Sequence, residues 1–567
     1  MNDSFRRHVV GWTALFLFTY VAYVPALFGG FVWDDDQYIT NNPTLTDLSG
    51  LQRIWFAPRA TPQYYPLVFT TFWAERHAWG LHPVGYHLVN IGLHALNAAL
   101  LWRVLRRLGV PGAWFAGALF ALHPVHVESV AWITERKNVL STLFYLAAGL
   151  TFLRLHRIGE PSVQDASLAP GRRDRGLYWT MFLLFLGALA SKTVTCTWPA
   201  AALLVLWWKR GWVDRRDVTR LAPMFLAGLA MGLWTAWVER RYVGAEGTTW
   251  DLSALERCQL AGRVLCFYVA KLFWPDPLVF IYPRWTIDPG DLRPWAYLAA
   301  CLAAIAAVWR LRGRIGRGPI VAALYFVGTL FPALGFFRVY FMQFSFVADH
   351  FQYLASIGPI ALFAACASRW NGFRSARILQ ALVLVVLGIN TWGRATTFLS
   401  PAVLWEDTLL KNPDAWIAHN NLGLLLEQEG KLDEAEGHFR RALALKPDLA
   451  RVHCNLGSLL ADRGDFTAAM EHFHQALHIA PDYADGWYNL ATAFARQGDW
   501  PQAIEYYRQA LQRRPNDADS HFGLGTALNE IGDREAAASE YLESLRISPD
   551  HEGARRALTA VRGGAAP

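Results

Sequence analysis

Phe31-Val32-Trp33-Asp34-Asp35-Asp36-Gln37-Tyr38-Ile39 places three carboxylates side by side directly after a long apolar run. Adjacent carboxylates repel one another and are costly beside lipid, so their position invites a functional explanation, although a solvated acidic turn accounts for the tripeptide taken alone. A second constellation is His123-Pro124-Val125-His126-Val127-Glu128. Its three-residue His spacing puts both imidazoles on one helical face and admits a metal. Pro124 disturbs that helix, which favours a polar cluster that lines a substrate cavity or joins helices by hydrogen bonds, and no metal is assigned. Lys192, in Ser191-Lys192-Thr193, is a cation within an apolar hairpin; it either snorkels to water or meets an anion.

The elements that must position these residues are apolar. Of 567 residues, 53% are hydrophobic, 14% aromatic and only 17% charged, with 26 Trp, which is too little charge for a wholly water-facing surface. Apolar stretches occur near 9–32, 86–102, 111–131, 139–153, 177–190, 195–208, 221–238, 294–309, 318–337, 351–368 and 378–393. They predict about 11 membrane spans over residues 1–396. Segment 9–32 begins like a signal peptide but lacks a small-residue cleavage site and is read as a retained first helix. With the N-terminus in the cytoplasm, 22 of this half's 37 basic residues fall on inner segments, among them Arg103, Arg106, Arg107, Lys209, Arg210, Arg317 and Arg369. The acidic tripeptide and everything after the last span then lie outside. No N-x-Ser/Thr sequon with x other than proline falls on that outer side, which fits a bacterial plasma membrane better than a secretory pathway. Six scattered cysteines without a C-x-x-C pair give neither a disulfide framework nor a zinc knuckle.

Beyond residue 396 the pattern changes. Pro413, Pro447, Pro481, Pro515 and Pro549 recur every 34 residues, and Gly430, Gly464, Gly498 and Gly532 mark a turn in the same frame. Ala435, Ala469, Ala503 and Ala537 and the aromatics Phe439, Phe473, Tyr507 and Tyr541 follow the same period. The period and these residues are similar to the tetratricopeptide repeat, a helix-turn-helix unit that stacks into an α-solenoid. Residues 397–567 thus read as a half repeat around Trp405, four full repeats and a capping helix over 550–562. Asn421, Asn455 and Asn489 share one position, which Gly523 interrupts. Two readings stay open for them: an amide ladder reading an acceptor peptide backbone, and packing between repeats.

Trp33-Asp34-Asp35, Asn42-Pro43, the His123–Ala131 segment, Glu135-Arg136-Lys137-Asn138 and the repeats together resemble the transmembrane and tetratricopeptide-repeat O-mannosyltransferases, on the multi-span C-type glycosyltransferase fold. That resemblance implies an all-α bundle with an acidic motif in the first outer loop. It implies transfer of a sugar, mannose in the best-known members, from a polyprenyl-phosphate carrier to a polypeptide hydroxyl, with inversion. Such a reaction needs a base for the hydroxyl and positive charge for the departing phosphate. Asp34 and Asp35 are the leading candidates for base and orienting group, and Asp36 is third. Arg136, Lys137 and Lys192 are candidates for phosphate, with His123, His126 and Glu128 as site wall. Within Asp349-His350-Phe351-Gln352-Tyr353, His350 stands where an arginine is more usual, so Arg338 or a pH-dependent His350 takes over that charge, with Asp349 and Tyr353 alongside. Segment 252–274 reads as an interfacial helix over the site or as an ordinary surface helix.

The sequence requires no cofactor and leaves a divalent cation open. Partners are a polyprenyl-phosphate sugar, a polypeptide held by the repeats, and membrane lipid. Two alternatives remain: a lipid or glycan acceptor, and a non-catalytic membrane scaffold presenting the repeats. The net charge of +7 divides into +16 over 1–396 and −9 over 397–567. The positive part is topological, so nucleic acid is excluded as a partner.

Overall fold

A computed structural model describes residues 3–159, 172–243 and 251–563. These are helical, with no strand among the described residues. The chain divides into two compact units, the first ending at Asn412 and the second beginning at Pro413.

Among the described residues of the first unit five helices are long and apolar enough to cross a membrane: Pro83–Arg107, Ile133–Leu155, Arg215–Arg241, Trp295–Ile315 and Arg374–Phe398. Shorter apolar helices occupy His8–Ala22, Ala113–Leu122, Gly318–Ala333 and Ile357–Trp370. The expected 11 spans are therefore not all continuous helices. Predicted span 111–131 stops at Leu122, because Pro124 forces a tight turn before the short helix Val127–Ala131. Predicted span 9–32 likewise leaves its first helix at Ala22, just before Pro25. No residue of Trp295–Ile315 is buried, so its apolar side chains form the kind of surface that lipid covers.

Two packed regions position the candidate residues. Tyr38, Ile39, Leu45, Phe69, Phe72 and Ile133 form an apolar floor beneath the acidic loop. Helix Ala254–Phe273, opened by a reciprocal Ser253/Glu256 cap, buries Leu260, Val264 and Tyr268 against Leu330 and Phe346. Tyr268 Oη donates to the Ala348 carbonyl and accepts from Ala348 N, both at 3.1 Å, which fixes the corner before Asp349. The 252–274 segment is thus a packed helix of the first unit.

The expected half repeat also belongs there. Trp405, on helix Pro401–Lys411, is buried against Trp33 and Phe280, and Asn412 Nδ2 donates to the Ile281 carbonyl at 3.0 Å. The predicted boundary at 396 therefore moves to 412.

The second unit alternates helices from Trp416–Gln428 to Arg534–Ile547 and closes with Glu552–Gly563. Gly430, Gly464, Gly498 and Gly532 adopt φ between 77° and 91°, where other residues are strained. Gly457 is needed for space, since a Cβ there would lie 2.6 Å from the Phe473 ring.

Candidate active site

The acidic loop divides its three carboxylates among three environments. Asp35 is fully buried and accepts from Val32 N at 2.8 Å, from Thr134 N at 2.8 Å and from the Thr134 hydroxyl. Burial raises its pKa to about 7, against the lowering effect of these bonds. Asp36 is exposed and bonded to the Thr40 hydroxyl at 3.1 Å. Asp34 is half-buried, and among the described residues no side-chain hydrogen bond holds its carboxylate. Burial raises its pKa to about 6; the Lys137 ammonium opposes the shift and the Glu135 carboxylate adds to it.

The loop is braced on both sides of Asp34. Trp33 has φ of 46°, a left-handed value that strains a bulky residue. It is held by a stack on Trp132 at 5.4 Å and by edge contacts with Phe280, Phe344 and Trp405. Downstream, Asn42 Oδ1 accepts from Thr44 N and its Nδ2 donates to the Tyr38 carbonyl, so Asn42-Pro43 closes the turn.

Beside the loop, next to Thr134, lies Glu135, which receives both lysines. Lys137 Nζ is 2.9 Å from Oε1, and Lys192 Nζ is 3.3 Å from Oε2 and donates to Asn138 Oδ1 at 2.7 Å. Two ammonium groups thus share one carboxylate in a buried setting, with the Asp34 and Glu239 carboxylates also within electrostatic reach of Lys137. Burial lowers the Lys192 pKa to about 8. Gln63 joins the rim, accepting from Tyr38 Oη at 2.7 Å and donating to Glu239 Oε1 at 2.8 Å. Glu135, Asn138, Gln63 and Glu239 were not among the candidates read from sequence. Glu239 carried a usable signal, since it is an acid at the end of an otherwise apolar helix.

Several candidates take other roles. Arg136 is fully buried, and its five N–H donors go to Asn90 Oδ1, Thr71 Oγ1, both oxygens of Glu75 and the Tyr86 carbonyl. None is left for phosphate. His123 Nε2 bonds the Leu272 carbonyl at 2.9 Å, and His126 bonds the Phe120 carbonyl and Ser356 Oγ. Both are committed to contacts that brace neighbouring segments. Burial lowers the His350 pKa to about 3, so the ring is neutral, and its Nδ1 shares a hydrogen bond with Glu128 Oε1 at 2.5 Å. It therefore supplies no charge at neutral pH. Its carbonyl accepts from Asn138 Nδ2 at 3.1 Å, which ties this corner to the lysine site. Asp349 accepts from Tyr282 Oη at 2.9 Å, and burial raises its pKa. Tyr353 Oη bonds His94 and Asn97 in the core, and Arg338 pairs with Asp251 at the surface.

In the second unit Asn455 Nδ2 donates to Asn420 Oδ1 of the preceding repeat at 2.8 Å, and Asn489 faces Cys454 in the matching place. Asn421 accepts from Asn420 and leaves its own Nδ2 buried without a partner. Packing between repeats thus accounts for two of the three amides. At Gly523 a Cβ would lie 2.5 Å from the Tyr507 ring, which explains the break in the series. Asn455→Ala is expected to cost about 0.5–1.5 kcal/mol of repeat-unit stability, read as a lower unfolding midpoint in urea.

Tetratricopeptide repeat models match residues 413–482, 454–516 and 488–552, so the second unit carries these repeats. A protein O-mannosyl-transferase of Caenorhabditis elegans is 25% identical over 75% of this chain and 61% of its own length. Protein O-mannosyl-transferase Tmtc3 of Drosophila melanogaster is 24% identical over 78% of this chain and 56% of its own. The chain thus spans less than two thirds of the length of these relatives. Among solved structures, the crystal structure of MamA protein is 20% identical over 27% of this chain and 83% of that one, with a TM-score of 0.24.

Proposed function

We propose that this chain is an integral-membrane glycosyltransferase that moves a sugar, mannose by its relatives' names, from a polyprenyl phosphate to a hydroxyl of a polypeptide recruited by the repeats. The observation that carries the reading is the pairing of Asp34, a carboxylate with no internal hydrogen bond, with two lysines sharing the single Glu135. Asp34 takes the proton of the acceptor hydroxyl as its oxygen attacks the anomeric carbon from the face opposite the phosphate. The bond from that carbon to the phosphate oxygen breaks, and Lys137 and Lys192 receive the charge gathering on the departing polyprenyl phosphate. Asp35 positions, since its acceptors hold the acidic loop to Thr134 and hence to Glu135.

Topology supports an outer site. The lysine site lies at the first turns of Pro83–Arg107 and Arg136–Leu155, while Arg103, Arg106, Arg107 and Arg154 lie at their far ends. Arginines mark the cytoplasmic side, so transfer takes place on the other.

The reading is tested by incubating the full chain with polyprenyl-phosphate mannose and acceptor peptides and following glycopeptide and released carrier by mass spectrometry. Transfer with Asp34→Asn as fast as with the parent, or no transfer from any polyprenyl-phosphate sugar, overturns it. Transfer only to lipid or glycan moves the acceptor assignment.

A pH profile follows from the shifted groups assigned to base and to phosphate. Asp34 must be ionised to accept a proton, so kcat/KM rises through about pH 6; Lys192 must be charged, so it falls through about pH 8. Lys192→Met should abolish the alkaline limb and keep the acid one.

A further inference from the structure

Far from the carboxylates, helices Pro83–Arg107, Arg136–Leu155, Trp198–Arg210, Gly318–Leu330 and Ile357–Ala367 enclose a cavity of about 480 Å³. Lys137 and the cavity residue Phe152 lie on the same helix, about 22 Å apart at its rise per residue. The cavity is therefore at the other membrane face from the lysine site. Its wall is apolar, through Leu105, Phe152, Trp198 and Leu362, and it contains three cations, Lys209, Arg317 and Arg369, with no carboxylate among the described residues that line it.

The cations share one end. Lys209 is in the last turn of its helix, Arg317 caps the start of Gly318–Leu330, and Arg369 follows Ile357–Ala367. Lys209 Nζ donates to the Leu108 carbonyl, and Arg317 Nη1 donates to the Trp207 carbonyl at 3.3 Å. These bonds fix both heads at the rim and commit one donor of each, where an ammonium has three and a guanidinium five. The positive end of helix Gly318–Leu330 adds to the same field. An apolar slot with a trivalent cationic mouth at the membrane surface matches an amphiphile with an anionic head. A zwitterionic headgroup would bring a further cation to that mouth.

We infer that this cavity binds an anionic glycerophospholipid of the cytoplasmic leaflet, its phosphate against Lys209, Arg317 and Arg369 and an acyl chain between the helices.

Native mass spectrometry of the full chain, equilibrated with equal phosphatidylglycerol and phosphatidylcholine, tests the site. Phosphatidylglycerol adducts should exceed phosphatidylcholine adducts by about tenfold or more. The triple variant Lys209→Gln/Arg317→Gln/Arg369→Gln should lose that preference. Gly149 lines the cavity, and a Cβ there meets nothing within 4 Å, so Gly149→Phe fills the slot without displacing a neighbour at its root. It should lower retention of both lipids while keeping the cations. Equal retention of the two lipids by the parent, or a preference unchanged in both variants, overturns the inference. So does displacement of phosphatidylglycerol by equimolar polyprenyl phosphate in the parent but not in the variants, which would give the cavity to the carrier lipid.

Discussion

Asp34→Asn should slow sugar transfer by about 10²–10⁴-fold and leave the thermal midpoint where it was, because the amide keeps the shape of a side chain that accepts no hydrogen bond from the protein but cannot take a proton. Asp35→Asn should do something different. Its two oxygens face three N–H or O–H donors, and an amide nitrogen in place of either oxygen sets donor against donor in a fully buried position. A loss of about 1–3 kcal/mol is expected, seen as a lower midpoint in detergent, with activity falling because the loop and Glu135 segment lose their tie. Asp36→Asn, exposed and bonded only to Thr40, should change neither quantity much. Single-turnover transfer and differential scanning fluorimetry on the three variants separate these outcomes. A full-rate Asp34→Asn enzyme removes the base assignment, and an Asp35→Asn protein as stable as the parent removes the positioning role.

That separation shows what the sequence could and could not carry. Three adjacent aspartates are equivalent as letters. What distinguishes them is where Thr134, some hundred residues away, places its donors, and no periodicity encodes that contact. The repeats were legible almost to the residue, because a 34-residue period repeats the same local packing and each glycine and proline does the same work in each copy. The repeat asparagines were less so. A shared frame position shows that a job recurs, but whether the amide points to a ligand or to the next repeat depends on a neighbour 35 residues back, as Asn455 and Asn420 show. Helix continuity in the membrane half was only partly legible, since apolar composition continues through Pro124 although the helix does not. Trp405 fell in the repeat frame and yet packs on Trp33, because a large aromatic goes where an apolar surface accepts it.

The same limit applies to two neighbours on one helix, and there the second large effect is expected. Arg136 and Lys137 look interchangeable as phosphate ligands, but about 100° of helical rotation turns them to different surroundings. Arg136 is spent on Glu75, Asn90, Thr71 and the Tyr86 carbonyl inside the first unit. Arg136→Met strands a buried carboxylate and should cost about 3–5 kcal/mol, enough to lower the yield of folded protein and its thermal midpoint sharply. Pairing it with Glu75→Leu should restore much of that stability, because an apolar pair needs no desolvated charge. Lys137→Met should leave the midpoint near the parent value, since Lys192 still neutralises Glu135, while transfer falls with the loss of one of two phosphate cations. The decisive comparison is transfer by the refolded Glu75→Leu/Arg136→Met protein. Substantial activity there, with little in Lys137→Met, assigns stability to one cation and chemistry to its neighbour. An Arg136→Met protein with an unchanged midpoint and no transfer would instead return the guanidinium to the substrate.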